Sequence, residues 1–127
     1  MAGPPSFECT VNNRTAVDLK VHDERLTWGK WIDDRPPVDI PAMTQKPAFG
    51  SIVMGAEAGA TGEVAYRLGD DAGTTVVISW DVTFGSQDNT LKIEPSDPAV
   101  IVEVAGWDPH TESATATLTV HDHRTNT

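Results

Sequence analysis

Cys9 is the only cysteine among the 127 residues, so no disulfide can close within the chain and stability has to come from a packed core. Long apolar runs are missing too. No stretch approaches the roughly 18 residues needed to span a bilayer, and Met1-Ala2-Gly3-Pro4-Pro5 has neither the basic nor the apolar region of a secretory signal. The expectation is a protein made in soluble form, without a signal peptide. Basic residues are scarce, with 9 Lys and Arg against 19 Asp and Glu, for a net charge of -10. A surface that acidic repels nucleic acid phosphates and anionic headgroups, so nucleic acid is not expected as a partner. Attachment to a membrane would then rest on aromatic contacts and headgroup recognition, without a basic patch. Signatures of catalysis are absent as well: there is no GxSxG elbow, HExxH pair or phosphate loop, and no base lies near the lone thiol in sequence. The chain reads as a non-enzyme with no cofactor and no metal.

What the sequence does contain is alternation with a period of two, the mark of strands with one buried face. Phe7, Cys9 and Val11 alternate with polar neighbours, and Cys9 in that run is expected to act as a small buried hydrophobe. Val17, Leu19 and Val21 form a second run, and Leu26 with Trp28 a third. Asn12-Asn13-Arg14-Thr15 between the first two is polar enough for a hairpin connection, and Asp33-Asp34-Arg35-Pro36-Pro37 closes the third. Val64, Tyr66 and Leu68 follow, then a turn at Gly69-Asp70-Asp71-Ala72-Gly73, then the longest run, Val76, Ile78, Trp80, Val82 and Phe84. Leu91 with Ile93, the dense run Val100 to Val104, and Ala114, Ala116, Leu118 and Val120 complete the pattern. No helix is expected. With 10 Gly and 9 Pro concentrated between the runs, the pattern predicts an all-β fold, a single antiparallel β-sandwich of about eight to ten strands. It is one domain over 1–127, with 1–5 and 123–127 as loose ends.

Three groups invite a chemical reading. His121-Asp122-His123 sets two imidazoles at i and i+2, which suits two metal ligands, but no third ligand can be named and a solvated strand end accounts for them. Asp33-Asp34 and Asp70-Asp71 are paired carboxylates of the kind that do acid–base work, yet each stands among turn residues, where Asp is favoured for local backbone bonding. The four tryptophans say more, because an indole joins a large apolar body to one N–H and suits the wet edge of a bilayer. Trp80, flanked at period two by Ile78 and Val82, reads as core. Trp28, Trp31 and Trp107 lie beside glycines or turn residues and are candidates for exposure and ligand contact.

Leu26-Thr27-Trp28-Gly29-Lys30 followed by an acidic, proline-rich loop resembles the Ser-Trp-Gly-Lys stretch of the aegerolysin family. Gly59-Ala60-Thr61-Gly62 is similar to the family's glycine and threonine turn. Ser79-Trp80-Asp81, then Gly85-Ser86, then Asn89-Thr90 is similar to its Tyr-Trp-Asp, Gly-Ser and Asn-Thr pattern. Val11-Asn12-Asn13-Arg14-Thr15 resembles the small component of two-component bacterial insecticidal toxins. The resemblance implies an aegerolysin-like β-sandwich without enzymatic activity. Its partners would be a sphingolipid-type membrane lipid or a cell-surface receptor, and a larger pore-forming protein. The chain itself would be a monomer or weak homo-oligomer in solution, acting extracellularly on target-cell membranes. A carbohydrate- or protein-receptor-binding sandwich is the alternative. By the resemblance, the lipid-contacting tryptophan is Trp28, and Trp31, Trp107 and Glu57 join it in the expected site. Ala58 stands where some members carry the headgroup-reading acid, with Glu57 beside it. The cysteines common in fungal members are absent, with Val82 following Asp81, which leans towards the bacterial insecticidal type.

Overall fold

Strands that alternate apolar and polar side chains can bury their apolar rows only by pairing into sheets and stacking two sheets face to face. In the computed structural model, which describes residues 5–53, 59–83 and 88–124, that is the arrangement. The described residues form nine strands: β1 (Ser6–Asn13), β2 (Leu19–Trp28), β3 (Lys30–Trp31), β4 (Thr44–Ile52), β5 (Ala60–Leu68), β6 (Asp71–Val82), β7 (Thr90–Pro95), β8 (Val100–Ala105) and β9 (Ser113–Asp122). One sheet has the order β3-β4-β1-β9-β8 and the other β2-β5-β6-β7. The only helical element among them is a 3-10 turn at Ile32–Asp34. All strand pairs are antiparallel except β1 with β9, which run parallel from Ser6 opposite Ser113 to Asn13 opposite Val120. The sandwich is therefore antiparallel with one parallel pair.

The inward rows follow the sequence period. Phe7, Cys9 and Val11 meet Ala114, Ala116, Leu118 and Val120 in one sheet, and Val64, Tyr66, Leu68, Val76, Ile78, Trp80 and Val82 face them from the other, all buried in a single cluster. Burial also pushes the Cys9 thiol far above its ordinary pKa, so it stays protonated and inert. The Tyr66 hydroxyl, likewise raised by burial, donates to the Val38 carbonyl at 2.8 Å.

Several expectations need correction. Asn12 to Thr15 is no hairpin, because β1 lies between β4 and β9 and the chain then crosses to β2 in the other sheet. Asn13 is fully buried at that crossing. Its amide donates to the Val17, Ile40 and Pro41 carbonyls at 2.8, 3.0 and 3.2 Å, and its oxygen accepts from the Thr15 N–H and hydroxyl at 2.9 and 2.8 Å. The second and third expected runs form one strand, β2, in which register shifts between Val21 and Asp23 and between Leu26 and Trp28 break the alternation. Val17 lies outside it and is exposed. β4 has no counterpart in the period-two pattern, because Lys46-Pro47-Ala48 carries a bulge opposite Cys9 and Thr10. The turn after β5 is shorter than expected, with Gly69 at φ 62 and β6 starting at Asp71. Nor are the ends wholly loose. Pro5 is buried and its carbonyl accepts from Val53 N–H at 3.0 Å, His123 N–H donates to Ala99 at 2.8 Å, and Arg124 pairs with Asp122. Phe84 lies outside the described residues.

Candidate functional site

At one end of the sandwich β2, β4, β6 and β8 finish and β1, β5, β7 and β9 begin. The chain changes sheets here at a single glycine. Gly29 has φ +100, and a Cβ on it would stand 2.7 Å from the Ile52 carbonyl oxygen, so no other residue fits without strain. Before it, Trp28 ends β2 on one sheet; after it, Lys30 and Trp31 pair with Ile52 and Ser51 on the other.

This pivot gives the two tryptophans different fates. Trp28 is 58% exposed, the most exposed large apolar side chain among the described residues. Trp31 is half-buried, its ring 6.1 Å from Phe49 and 6.3 Å from Trp80. Trp107, also half-buried, packs edge-on to Phe7 at 5.8 Å. Trp80 lies at the centre of this aromatic group, 5.0 Å from Phe49 and 5.3 Å from Phe7, with its indole N–H donating to the buried Ser51 hydroxyl at 2.9 Å. Trp80 is thus core, as its flanks imply. Trp31 and Trp107 remain partly exposed while packing against this aromatic group. Glu57 lies outside the described residues, as does Ala58.

Beside Trp28 the strand register sets Thr61, then Asp81, then Thr90 in a row across the sheet. The Thr61 hydroxyl donates to the Asp81 carboxylate at 3.0 Å. On the other side of the end, buried Asn89 ties two loops together. Its oxygen accepts from Thr83 N–H at 2.8 Å, its amide donates to the Thr111 carbonyl, and its own N–H donates to Pro109 at 2.8 Å. This holds the segment carrying Trp107. Sequence reasoning missed Ser51, Thr61 and Asn89; the Asn-Thr pair at 89–90 was a signal for the last, but periodicity assigns such residues to loops.

Charge at this end is mostly acidic, with Asp81, Asp88, Asp108 and Glu112 against Lys30. Elsewhere, the His121 and His123 rings stack at 6.0 Å, and His121 Nε2 lies 3.0 Å from a Glu103 oxygen. Among the described residues no three His, Cys, Asp or Glu side chains gather as a metal site. Asp33 and Asp34 sit exposed in the 3-10 turn, and Asp70 pairs with Lys20 at 2.8 Å.

The fold and its tryptophan-bearing end define a class. The aegerolysin family model matches residues 7–124, and the chain belongs to the aegerolysin family. No curated protein matches it in sequence. Among solved structures it is similar to RahU, crystallised with a Tris molecule, at a TM-score of 0.80 and 19% identity over 96% of this chain and 98% of that one. It is also similar to IP-1A from Alcaligenes faecalis, at 0.74 and 17% over 97% and 94% of the two chains. A third similar structure is the lipid binding protein Nakanori, at 0.72 and 12% over 94% and 72%. At these identities the likeness concerns the fold.

Proposed function

We propose that the chain is a non-enzymatic membrane-lipid-binding protein that docks through the tryptophan end, with Trp28 as its principal contact. The observation that carries this reading is Trp28 itself. An indole standing 58% exposed on a strand end has apolar area to give to a bilayer interface. Its transfer would contribute about 2 kcal/mol, and the exposed parts of Trp31 and Trp107 would add to it. Family membership and the likeness to a lipid binding protein support the same reading. So does the acidic surface, which leaves apolar and headgroup contacts as the means of attachment.

In the same reading the lipid is of the sphingolipid type and Glu57 contributes to headgroup choice. A larger pore-forming protein assembles on the docked chain, which makes this the small component of a cytolytic or insecticidal pair acting outside the producing cell. The test is co-sedimentation with liposomes of sphingomyelin and cholesterol, of ceramide phosphoethanolamine, and of phosphatidylcholine alone. Selective pelleting with a sphingolipid mixture is expected, and Trp28→Ala should weaken it about tenfold or more while circular dichroism stays unchanged. An unaltered affinity would remove Trp28 from the site, and no pelleting with any mixture would turn the reading towards a receptor other than lipid.

A further inference from the structure

The five-stranded sheet carries a groove of about 610 Å3 that Trp28 does not line. Glu8 of β1 and Thr115 and Thr117 of β9 line it from the sheet, Asp33 and Arg35 from the segment that follows β3, and Lys46 from β4. The sequence builds it in two ways. Alternation on β9 turns Ala114 and Ala116 into the core and leaves the threonines on the opposite face. Gly50 lacks the side chain that would collide with Ile32, since a Cβ there would lie 2.9 Å from the Ile32 Cδ1 and 3.3 Å from the Glu8 Cγ. Ile32 can therefore fold across the sheet and carry Asp33 and Arg35 to the groove's rim.

Its charges are unusual for this molecule. Of the nine Lys and Arg residues, Lys20, Arg25, Lys92 and Arg124 are paired with carboxylates and Arg67 donates to the Gly69 carbonyl. In this chain of net charge -10 the other four have no such partner. Among the described residues these are Arg14, Lys30, Arg35 and Lys46, and Arg35 and Lys46 both line this groove. Glu8 and Asp33 line it too, and no ion pair joins them to the two cations. The groove thus offers cations for an acid group, carboxylates that accept from hydroxyls, and threonine hydroxyls that do either. Its volume falls within the range of small-molecule sites.

We propose that this groove binds an acidic saccharide, with the sugar carboxylate held by Arg35 and Lys46 and the ring hydroxyls by Glu8, Asp33, Thr115 and Thr117. The site is separate from the tryptophan end and stands or falls without it. The test is an NMR titration of the intact chain with sialyllactose and with glucuronate, using lactose as the neutral control and O-phosphoethanolamine as a lipid-headgroup control. Amide shifts are expected around Glu8, Arg35, Lys46 and Thr115 with the acidic sugars. Lactose should bind at least tenfold more weakly, and Arg35→Ala and Lys46→Ala should each cost about tenfold in affinity, as loss of a charge-assisted hydrogen bond does. Arg35 is exposed, so its truncation leaves packing intact and an unshifted spectrum checks the fold. Arg14→Ala and Trp28→Ala should leave sugar affinity unchanged. Absence of shifts in the groove, an equal response to lactose, tighter binding of O-phosphoethanolamine, or full affinity in both groove variants would each overturn the assignment.

Discussion

Gly62 shows how much a single position can decide. Built onto its backbone, a Cβ would stand 2.6 Å from the Trp80 ring, 2.8 Å from a Leu26 methyl and 2.9 Å from the Arg25 carbonyl oxygen. Because the last of these is backbone, the strand cannot yield by a rotamer change alone. Gly62→Ala is expected to cost about 1 to 3 kcal/mol, typical of overpacking, and to appear as a lower urea midpoint with unchanged slope. A midpoint equal to that of the native chain would mean that Trp80, Leu26 and the neighbouring backbone all give way at no cost. At this scale the sequence was partly legible. Cys9 and Trp80 could be placed in the core from their apolar flanks, because alternation reports burial directly. Trp28, Trp31 and Trp107 could not be told apart, since all three sit beside glycines or turns. Only the positive φ of Gly29 separates the outward ring from the inward one.

Among the elements, β2 was read as two runs and β4 was missed for the same cause, bulges that shift side-chain parity so that a buried row no longer falls on alternate residues. The regular strands β1, β5, β6 and β9 were readable because their registers run nearly unbroken beside their neighbours. The crossing from β1 to β2 is set by Asn13, whose side chain replaces the backbone bonds a hairpin would have made. In Asn13→Ala the Pro41 carbonyl loses its donor, the Val17 and Ile40 carbonyls keep only those from the Thr15 hydroxyl and the Leu19 N–H, and the Thr15 N–H loses its acceptor. An expected cost of about 2 to 4 kcal/mol follows, measured by thermal or denaturant unfolding. Asn13→Asp keeps the acceptor but not the amide donors and should recover little. Recovery to native stability would show that the Thr15 contacts, not the carbonyl contacts, hold the crossing.

On the scale of the whole molecule, carboxylates outnumber cations by 19 to 9, and Asp122 is one that the fold pairs. Arg124 grips its carboxylate at 2.9 and 2.8 Å and also reaches the Thr74 hydroxyl at 2.8 Å, tying the end of β9 to the other sheet. The hydrogen bonds from Arg124 hold the Asp122 pKa below the ordinary carboxylate value. A carboxyl that titrates lower in the folded chain contributes stability above its unfolded pKa, and that contribution fades as pH falls through the lowered folded value. The thermal midpoint should therefore drop below about pH 4, and Asp122→Asn should make that acid limb shallower. An acid limb of identical depth in the variant would assign the loss to other carboxylates. Asp70, lowered by Lys20, is fully exposed and adds little to this.

The parallel pairing of β1 with β9 has a consequence for how the protein can be tethered. Two parallel neighbours start at the same end, so Pro5 enters the fold beside the tryptophans while Arg124 leaves it at the far pole. Polypeptide joined ahead of Pro5 would lie between the tryptophan end and whatever that end approaches, and polypeptide joined after Arg124 would point away from it. A reporter or surface linkage belongs at the carboxyl side, where the molecule stands upright with its aromatic end free.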